Sequence, residues 1–286
     1  MEQVKIAIIG GSGIYDIQAI RDVQTIEVET PYGQTSDKII IGTLEGVRFA
    51  FLPRHGRGHK IAPSELNFRA NIYALKKIGV EQILSISAVG SLKQELKPRD
   101  FVIPDQLFDR TKQRVSTFFN EGVVAHVSFA DPFCPDLSKL ALDAAKAVGI
   151  TVHKGGTYVC MEGPQFSTRA ESNVYRQLGF SIIGMTALPE AKLAREAEMC
   201  YTTVALVTDY DVWKEDEEVS VEKVIANLTA NSEKAKQFIR KIIPMMDRAI
   251  TCSCPDALAN AIITDLDAMP KQALEKVKLL VSKYIK

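Results

Sequence analysis

Two carboxylates stand at the end of an apolar run in TTVALVTDYDVWKEDEE, where residues 202–207 give way to Thr208, Asp209, Tyr210 and Asp211. The carboxyl ends of strands in open α/β sheets border the ligand crevice, so acids placed there can recognise a small molecule. Residues two apart in extended backbone face the same side, which predicts that Asp209 and Asp211 converge on one ligand. Alone, the stretch reads equally well as an acidic turn running into the solvated segment 214–218. Its weight comes from the other strand ends.

Three of those ends carry anion-binding chemistry. The first predicted strand stops at Gly10-Gly11-Ser12-Gly13, the fourth at Pro53-Arg54-His55-Gly56-Arg57-Gly58-His59, and the fifth at Ser87-Ala88-Val89-Gly90-Ser91. Glycines allow close backbone approach and leave amide donors free. The hydroxyls of Ser12 and Ser87 donate as well, and Arg54 offers a planar fork matched to phosphate oxygens. His55 adds a donor able to carry charge. Met185-Thr186 and Asp209 follow two later strands, so phosphate ligands and paired carboxylates share one predicted site. Glycine-rich turns and Arg–His pairs also occur as plain structure, and it is their coincidence at successive strand ends that argues for a site. The GGSG turn does not make a dinucleotide fingerprint, because Asp16 stands where a third small residue is needed and no clean crossover helix follows.

Between the halves, Met161 to Glu171 reads MEGPQFSTRAE. Gly163 and Pro164 turn the chain, Ser167 or Thr168 can cap a helix, and Glu171 completes a capping box with Thr168. That accounts for the stretch as structure but leaves Phe166, an aromatic on a turn able to stack on a flat base.

These segments need a scaffold of strands with helices between them. Period-two and β-branched runs predict strands over 4–9, 24–30, 38–42, 47–52, 82–87, 101–103, 157–160, 181–185 and 200–207. Helical patterns cover 64–78, 135–148, 169–178, 189–198, 220–243 and 271–285, with Ser64 as a cap and Pro189 in a first turn. A β-rich first half followed by alternation indicates an α/β fold: one domain over 1–286, with a central mixed, twisted sheet flanked by helices. Residues 245–286 change character at Pro255 and Pro270 and are expected to form a helical extension over the main domain or a neighbouring subunit.

Bulk properties narrow the partner. With 286 residues and 46% hydrophobic content the chain can bury a large core, and 35 basic against 35 acidic residues give no electrostatic footprint for nucleic acid or an anionic membrane. No apolar run approaches the ~18 residues that span a bilayer, and the N-terminus lacks signal-peptide features, so a cytoplasmic enzyme is expected. Cys134, Cys160 and Cys200 are scattered through apolar sequence as small buried hydrophobes would be, and four histidines, none at metal-ligand spacing to another or to a cysteine pair, argue against zinc. Only Cys252-Ser253-Cys254 looks deliberate.

In the order IIGGSGIYD, PRHGRGH, SAVGSL, MEGPQFSTRAES, MTALPE and TDYDVWKE, the chain resembles the 5′-methylthioadenosine phosphorylases of the purine nucleoside phosphorylase superfamily, over residues 6 to about 240. The resemblance implies phosphorolysis of 5′-methylthioadenosine to adenine and 5-methylthioribose 1-phosphate, with phosphate as co-substrate and neither metal nor organic cofactor. It implies a phosphate site of Ser12, Arg54, His55, Ser87, the Ala88 backbone and Thr186. Met185 would lie against the ribose, Phe166 and Ser167 by the base, and Asp209 and Asp211 at the base's polar edge. Val221, Val224 and Ile225 would form the methylthio wall, although a helix packing its apolar face on the core explains them as easily. His126 would reach the 5′ end from an adjacent subunit of a homotrimer or a hexamer built as a dimer of trimers; it could likewise be an interface histidine. Gly184 departs from the Asn that precedes Met-Thr in some relatives, and Cys252 and Cys254 resemble the C-x-C of some thermophilic members.

The chemistry agrees with this reading. Breaking a glycosidic bond places positive charge on the ribose and negative charge on the departing purine; a phosphate anion stabilises the first and acts as nucleophile. Asp209 is the candidate proton donor to adenine and Asp211 its support, and an ionised Asp at this edge disfavours a 6-oxopurine carbonyl. A 5′-methylthioinosine or broad purine nucleoside phosphorylase would keep the phosphate site and change base preference. A non-catalytic nucleoside-binding protein would not need Arg54, His55, Ser87 and Thr186 together, and a nicotinamide enzyme lacks its fingerprint.

Overall fold

The computed structural model describes residues 3–11, 19–214 and 221–285. The first half supplies β1 (Ile6–Gly10), β2 (Arg21–Ile26), β3 (Ile39–Leu44), β4 (Val47–Pro53), α1 (Phe68–Lys77), β5 (Gln82–Ser91), β6 (Phe101–Ile103) and β7 (Gln106–Arg110). The second supplies α2 (Pro135–Ala147), β8 (Val152–Lys154), β9 (Thr157–Met161), α3 (Arg169–Gln177), β10 (Ile182–Gly184), α4 (Ala187–Glu196), β11 (Cys200–Asp209), α5 (Val221–Met246) and α6 (Lys271–Val281). The described strands make one mixed sheet in the order β2-β3-β4-β1-β5-β10-β9-β7, with β11 also pairing β5 and β6, and β8 pairing β6.

Its centre is buried on both faces. Residues of α1, α4 and α6, among them Ile72, Leu75, Ala191, Leu193, Val277 and Leu280, pack on one side. Leu137 and Leu140 of α2 with Phe238, Ile239 and Ile242 of α5 pack on the other. This double cover explains why β11 reads as an unbroken buried run until Asp209.

The sheet forks at β5. One edge of β5 pairs in parallel with β11 from Gln82 to Val89, while the other pairs with β1 only from Gln82 to Ser85. That second edge is taken up again at Gly90 and Ser91 by β10, running antiparallel. Residues 86–89 therefore present an open backbone edge between β1 and β10. The Ile86 carbonyl points into this gap, where it accepts from Arg54 Nη1 at 2.9 Å, and strand alternation puts the Ala88 N–H on the same edge.

Several boundaries differ from expectation for local reasons. The helix expected over 64–78 divides into a 3₁₀ turn at Pro63–Glu65 and α1, because Asn67 Oδ1 accepts the Ala70 N–H at 3.1 Å and caps the second piece. The strand expected to end at 87 continues to Ser91 because β10 pairs its last residues. β7 and β8 were not anticipated: the first is a largely exposed edge and both lack apolar alternation. The capping box at α3 forms, with Glu171 N–H donating to Thr168 Oγ1 and Thr168 N–H to Glu171 Oε2. The tail packs back on the body through α6 and through a bridge between Ala125 and Ile262.

Candidate active site

A cavity of about 360 Å³ opens at the fork. Its walls include Arg54, His55, Ser87, Ala88, Thr186 and Met185, and also Phe166, Asp209, Asp211 and Val224. Residues predicted from separate strand ends thus meet around one space. Ser167 is buried beside it, its hydroxyl donating to Met161 Sδ at 3.6 Å, and Ile225 is 55% exposed; neither lines the cavity. Exposed His126 also lies off the cavity of its own chain, its N–H donating to the Ala261 carbonyl. Ser12 lies outside the described residues, as does the side chain of Val221, which opens α5.

Arg54 is 1% exposed and its guanidinium is already engaged. Nε donates to Glu190 Oε2 at 3.0 Å, Nη2 to Glu190 Oε1 at 3.1 Å and to Ser85 Oγ at 2.7 Å, and Nη1 to the Ile86 carbonyl. Glu190 accepts further from Ser85 Oγ and Tyr201 Oη, at 2.8 and 2.9 Å. Burial opposes the guanidinium charge, but the Glu190 carboxylate outweighs it and the Arg54 pKa ends up raised. The fork predicted for phosphate is therefore spent on Glu190, and one Nη1 hydrogen remains without a partner among the described residues.

Hydroxyls take up part of that task. Among the described residues Ser87 Oγ has no hydrogen-bond partner and Thr186 Oγ1 faces only the Tyr158 hydroxyl; both residues line the cavity, so each has a donor to give a ligand. His55 Nδ1 lies 2.9 Å from the Ile61 carbonyl, an acceptor, which assigns the proton to Nδ1. Burial, and then the Arg54 charge, push its pKa down to about 4, so at neutral pH the ring offers Nε2 as an acceptor. It stacks on His59, whose ring centroid is 4.3 Å away.

At the other end the two acids meet by a turn and not by strand alternation. The β11–β5 register shifts between Val207 and Asp209, and Asp211 has φ 51°, outside extended backbone. Its N–H donates to Asp209 Oδ1 at 2.8 Å, while Thr208 Oγ1 donates to Oδ2 at 2.7 Å. Burial raises the pKa of Asp209. Asp211 is 5% exposed, and burial, opposed by the Ser172 hydroxyl and reinforced by repulsion from Asp209, lifts it to about 6. Half-exposed Phe166 forms part of the wall.

Three contributors escaped the sequence reading. Glu190 was read only as part of a motif. Arg114, with a side chain 2% exposed, donates through Nη1 to the carbonyls of Met185 and Leu188 and through Nη2 to that of Glu162, each at 2.6 Å, and pairs with Glu162 Oε1 at 3.1 Å. It thereby clamps the turn after β9 to the turn after β10. Gly163, at φ 68°, lets these turns close, since a Cβ there would overlap Met185 Sδ. Tyr158 completes the set: its buried hydroxyl faces Thr186 and fills the space a Cβ on Gly184 would need, which accounts for glycine at that position.

Comparison with known proteins identifies the family. A family model described as the phosphorylase superfamily matches residues 5–244. An S-methyl-5′-thioadenosine phosphorylase of Koribacter versatilis is 56% identical, over 99% of this chain and 97% of its own. One of Geobacter sulfurreducens is 55% identical over the full length of both. The crystal structure of a methylthioadenosine phosphorylase from an antarctic soil metagenomic library superposes with a TM-score of 0.94 at 50% identity, covering 98% of this chain and 99% of that one. A mutant adenosine/methylthioadenosine phosphorylase of Schistosoma mansoni, in complex with methylthioadenosine, superposes with a TM-score of 0.84 at 33% identity, covering 94% and 100%.

Proposed function

The chain belongs to the phosphorylase superfamily, and we propose that it is a pentosyltransferase that cleaves 5′-methylthioadenosine with phosphate, giving adenine and 5-methylthioribose 1-phosphate. The observation that carries this reading is one cavity lined both by the hydroxyls of Ser87 and Thr186 at the strand fork and by the acid pair Asp209 and Asp211. The named activities of its relatives support it.

Phosphate is held by Ser87 Oγ, Thr186 Oγ1, the Ala88 N–H and the remaining Arg54 hydrogen. Neutral His55 accepts the P–OH of hydrogen phosphate, an arrangement that leaves the other oxygens free to approach the anomeric carbon. Ser12 joins them by its motif. Met185 lies against the ribose and Phe166, beside Ser167, packs on the base. A phosphate oxygen bonds to the anomeric carbon as the glycosidic C–N bond breaks and its electron pair passes to the purine. The anion stabilises the positive ribose, and the acid pair delivers a proton to the departing ring. Asp209 addresses the ring nitrogen and Asp211 shares the proton; titration belongs to the pair. Val221, Val224 and Ile225 supply the apolar surface for the methylthio group.

We also propose a homotrimer, or a pair of trimers, in which His126 of one subunit reaches the 5′ end of a neighbour's substrate. In support, His126 is exposed and off its own cavity. The setting is cytoplasmic, with no organic cofactor in the reaction. No described helix is long and apolar enough to cross a membrane.

The test is adenine release from 5′-methylthioadenosine with and without phosphate, alongside methylthioinosine and inosine. Phosphate-dependent release that dominates over both oxopurine substrates is expected. Preference for either oxopurine would overturn the role of the acids, and absence of turnover would overturn the reaction.

A further inference from the structure

Away from the substrate cavity, four of the five cysteines converge. Cys134, Cys200, Cys252 and Cys254 bring their Sγ atoms within 4.8 Å of one another, with Cys134 and Cys200 lying 3.6 and 3.3 Å from Cys252. They arrive from three parts of the fold. Cys134 caps α2, Cys200 opens β11, and Cys252 and Cys254 sit on the segment after α5. All are free thiols. We propose that these four sulfurs form a structural site for one thiophilic divalent cation, Zn²⁺, that fastens the C-terminal segment to the central sheet.

The geometry matches such a site. A tetrahedral ion with Zn–S bonds of about 2.3 Å sets its sulfurs about 3.8 Å apart, within the spread seen here. Four protein ligands leave no open position, which is the mark of a structural ion. A cavity of about 20 Å³ touches Cys134, Cys200 and Cys252, and a second, of about 870 Å³, reaches Cys254, so the cluster borders open space through which an ion can enter.

The surroundings suit sulfur anions. The Leu137 N–H donates to Cys134 Sγ at 3.4 Å, placing this ligand at the positive end of α2. Arg248 lines the smaller cavity, where Asp136 is engaged by Thr251 Oγ1 at 2.6 Å.

Such a tie would hold three elements together at one point: the start of β11, which is also the edge partner of β5, the cap of α2, and the tail beyond α5. None of the four cysteines lines the substrate cavity. The ion consequently acts on stability and leaves the reaction's chemistry alone.

Elemental analysis of protein purified under reducing conditions without added chelator should find near one equivalent of zinc per chain. Its four clustered thiols should resist a thiol reagent until a chelator is added, and thermal midpoint should fall on chelation. Protein refolded with Co²⁺ should show thiolate-to-cobalt charge transfer and the visible bands of a tetrahedral ion. In Cys254→Ser the metal content and the chelator effect should both drop, while the cobalt experiment needs no variant and stands whether or not that one folds. Metal-free protein that takes up neither Zn²⁺ nor Co²⁺ would overturn the proposal, as would disulfides among these residues in protein isolated without metal.

Discussion

At the strand fork, Arg54 and Glu190 lie buried and neutralise each other through two hydrogen bonds, with Ser85 and Tyr201 closing the network. Elsewhere in the wall of the same cavity, buried Asp211 sits beside part-buried Asp209, and among the described residues neither forms an ion pair. The first end has balanced its charge within the protein and offers a ligand mainly neutral hydroxyls. The second holds an imbalance that folding must sustain until a proton or a base relieves it. Permanent charge here serves the scaffold, and the costly, titrating groups face the chemistry.

The sharpest test of the acid end is Asp209→Asn, expected to lower kcat/KM for methylthioadenosine by about 10²–10⁴-fold, the range of a lost general acid. Relative rates should shift toward 6-oxopurine nucleosides, because Asn can donate to their carbonyl; unmoved selectivity would take base reading away from Asp209. At the fork, Arg54→Ala strands Glu190 and should cost about 3–5 kcal/mol in urea unfolding, with part recovered when Glu190→Leu is added. Should only the phosphate KM rise, Arg54 is a ligand and the contrast between the two ends collapses.

Asp211→Asn should act in the opposite sense on stability. The native pKa of about 6 lies above the ordinary carboxyl value of 3.8, so protonation favours the folded state. That contribution is present below pH 3.8 and is lost as pH rises through about 6. The Asn variant should therefore be more stable than wild type above pH 7, by up to about 3 kcal/mol, with the advantage vanishing near pH 4. Denaturation curves at both pH values decide it. Last, Ser87→Ala should weaken apparent phosphate binding by about 1.5–3 kcal/mol while leaving unfolding nearly unchanged, since its hydroxyl has no partner to lose among the described residues, and Thr186→Ala should do the same with a small added loss of stability, because its hydroxyl faces that of Tyr158. A drop in stability with an unchanged phosphate KM would show that these hydroxyls belong to the scaffold.

Much of the site was legible because strand ends announce themselves: TDYD, SAVGS and PRH each follow a buried apolar run, and that placement depends on local sequence. The convergence of Asp209 and Asp211 was read rightly as proximity but attributed to extended backbone, whereas a bulge and a left-handed residue produce it. What stayed hidden depends on distant pairing. Arg54 and Glu190 are 136 residues apart, and Cys134 and Cys252 are 118 apart, so neither arrangement has a spacing to recognise. The fold class follows from β–α alternation, but the forked edge of β5 does not. It arises because β1 stops after pairing Ser85 and a strand from the other half of the chain takes the same edge in the opposite direction.

The Arg114 clamp carries a thermodynamic consequence. One buried guanidinium joins the carbonyls of Met185 and Leu188 to that of Glu162, so the turn that carries Met185 and the turn leading to Phe166 behave as a single rigid body. Their loss of conformational freedom occurs when the chain folds, not when substrate arrives. Binding at this wall is accordingly a lock-and-key event with a small ordering entropy, and whatever reorganisation accompanies turnover belongs to the elements Arg114 does not hold.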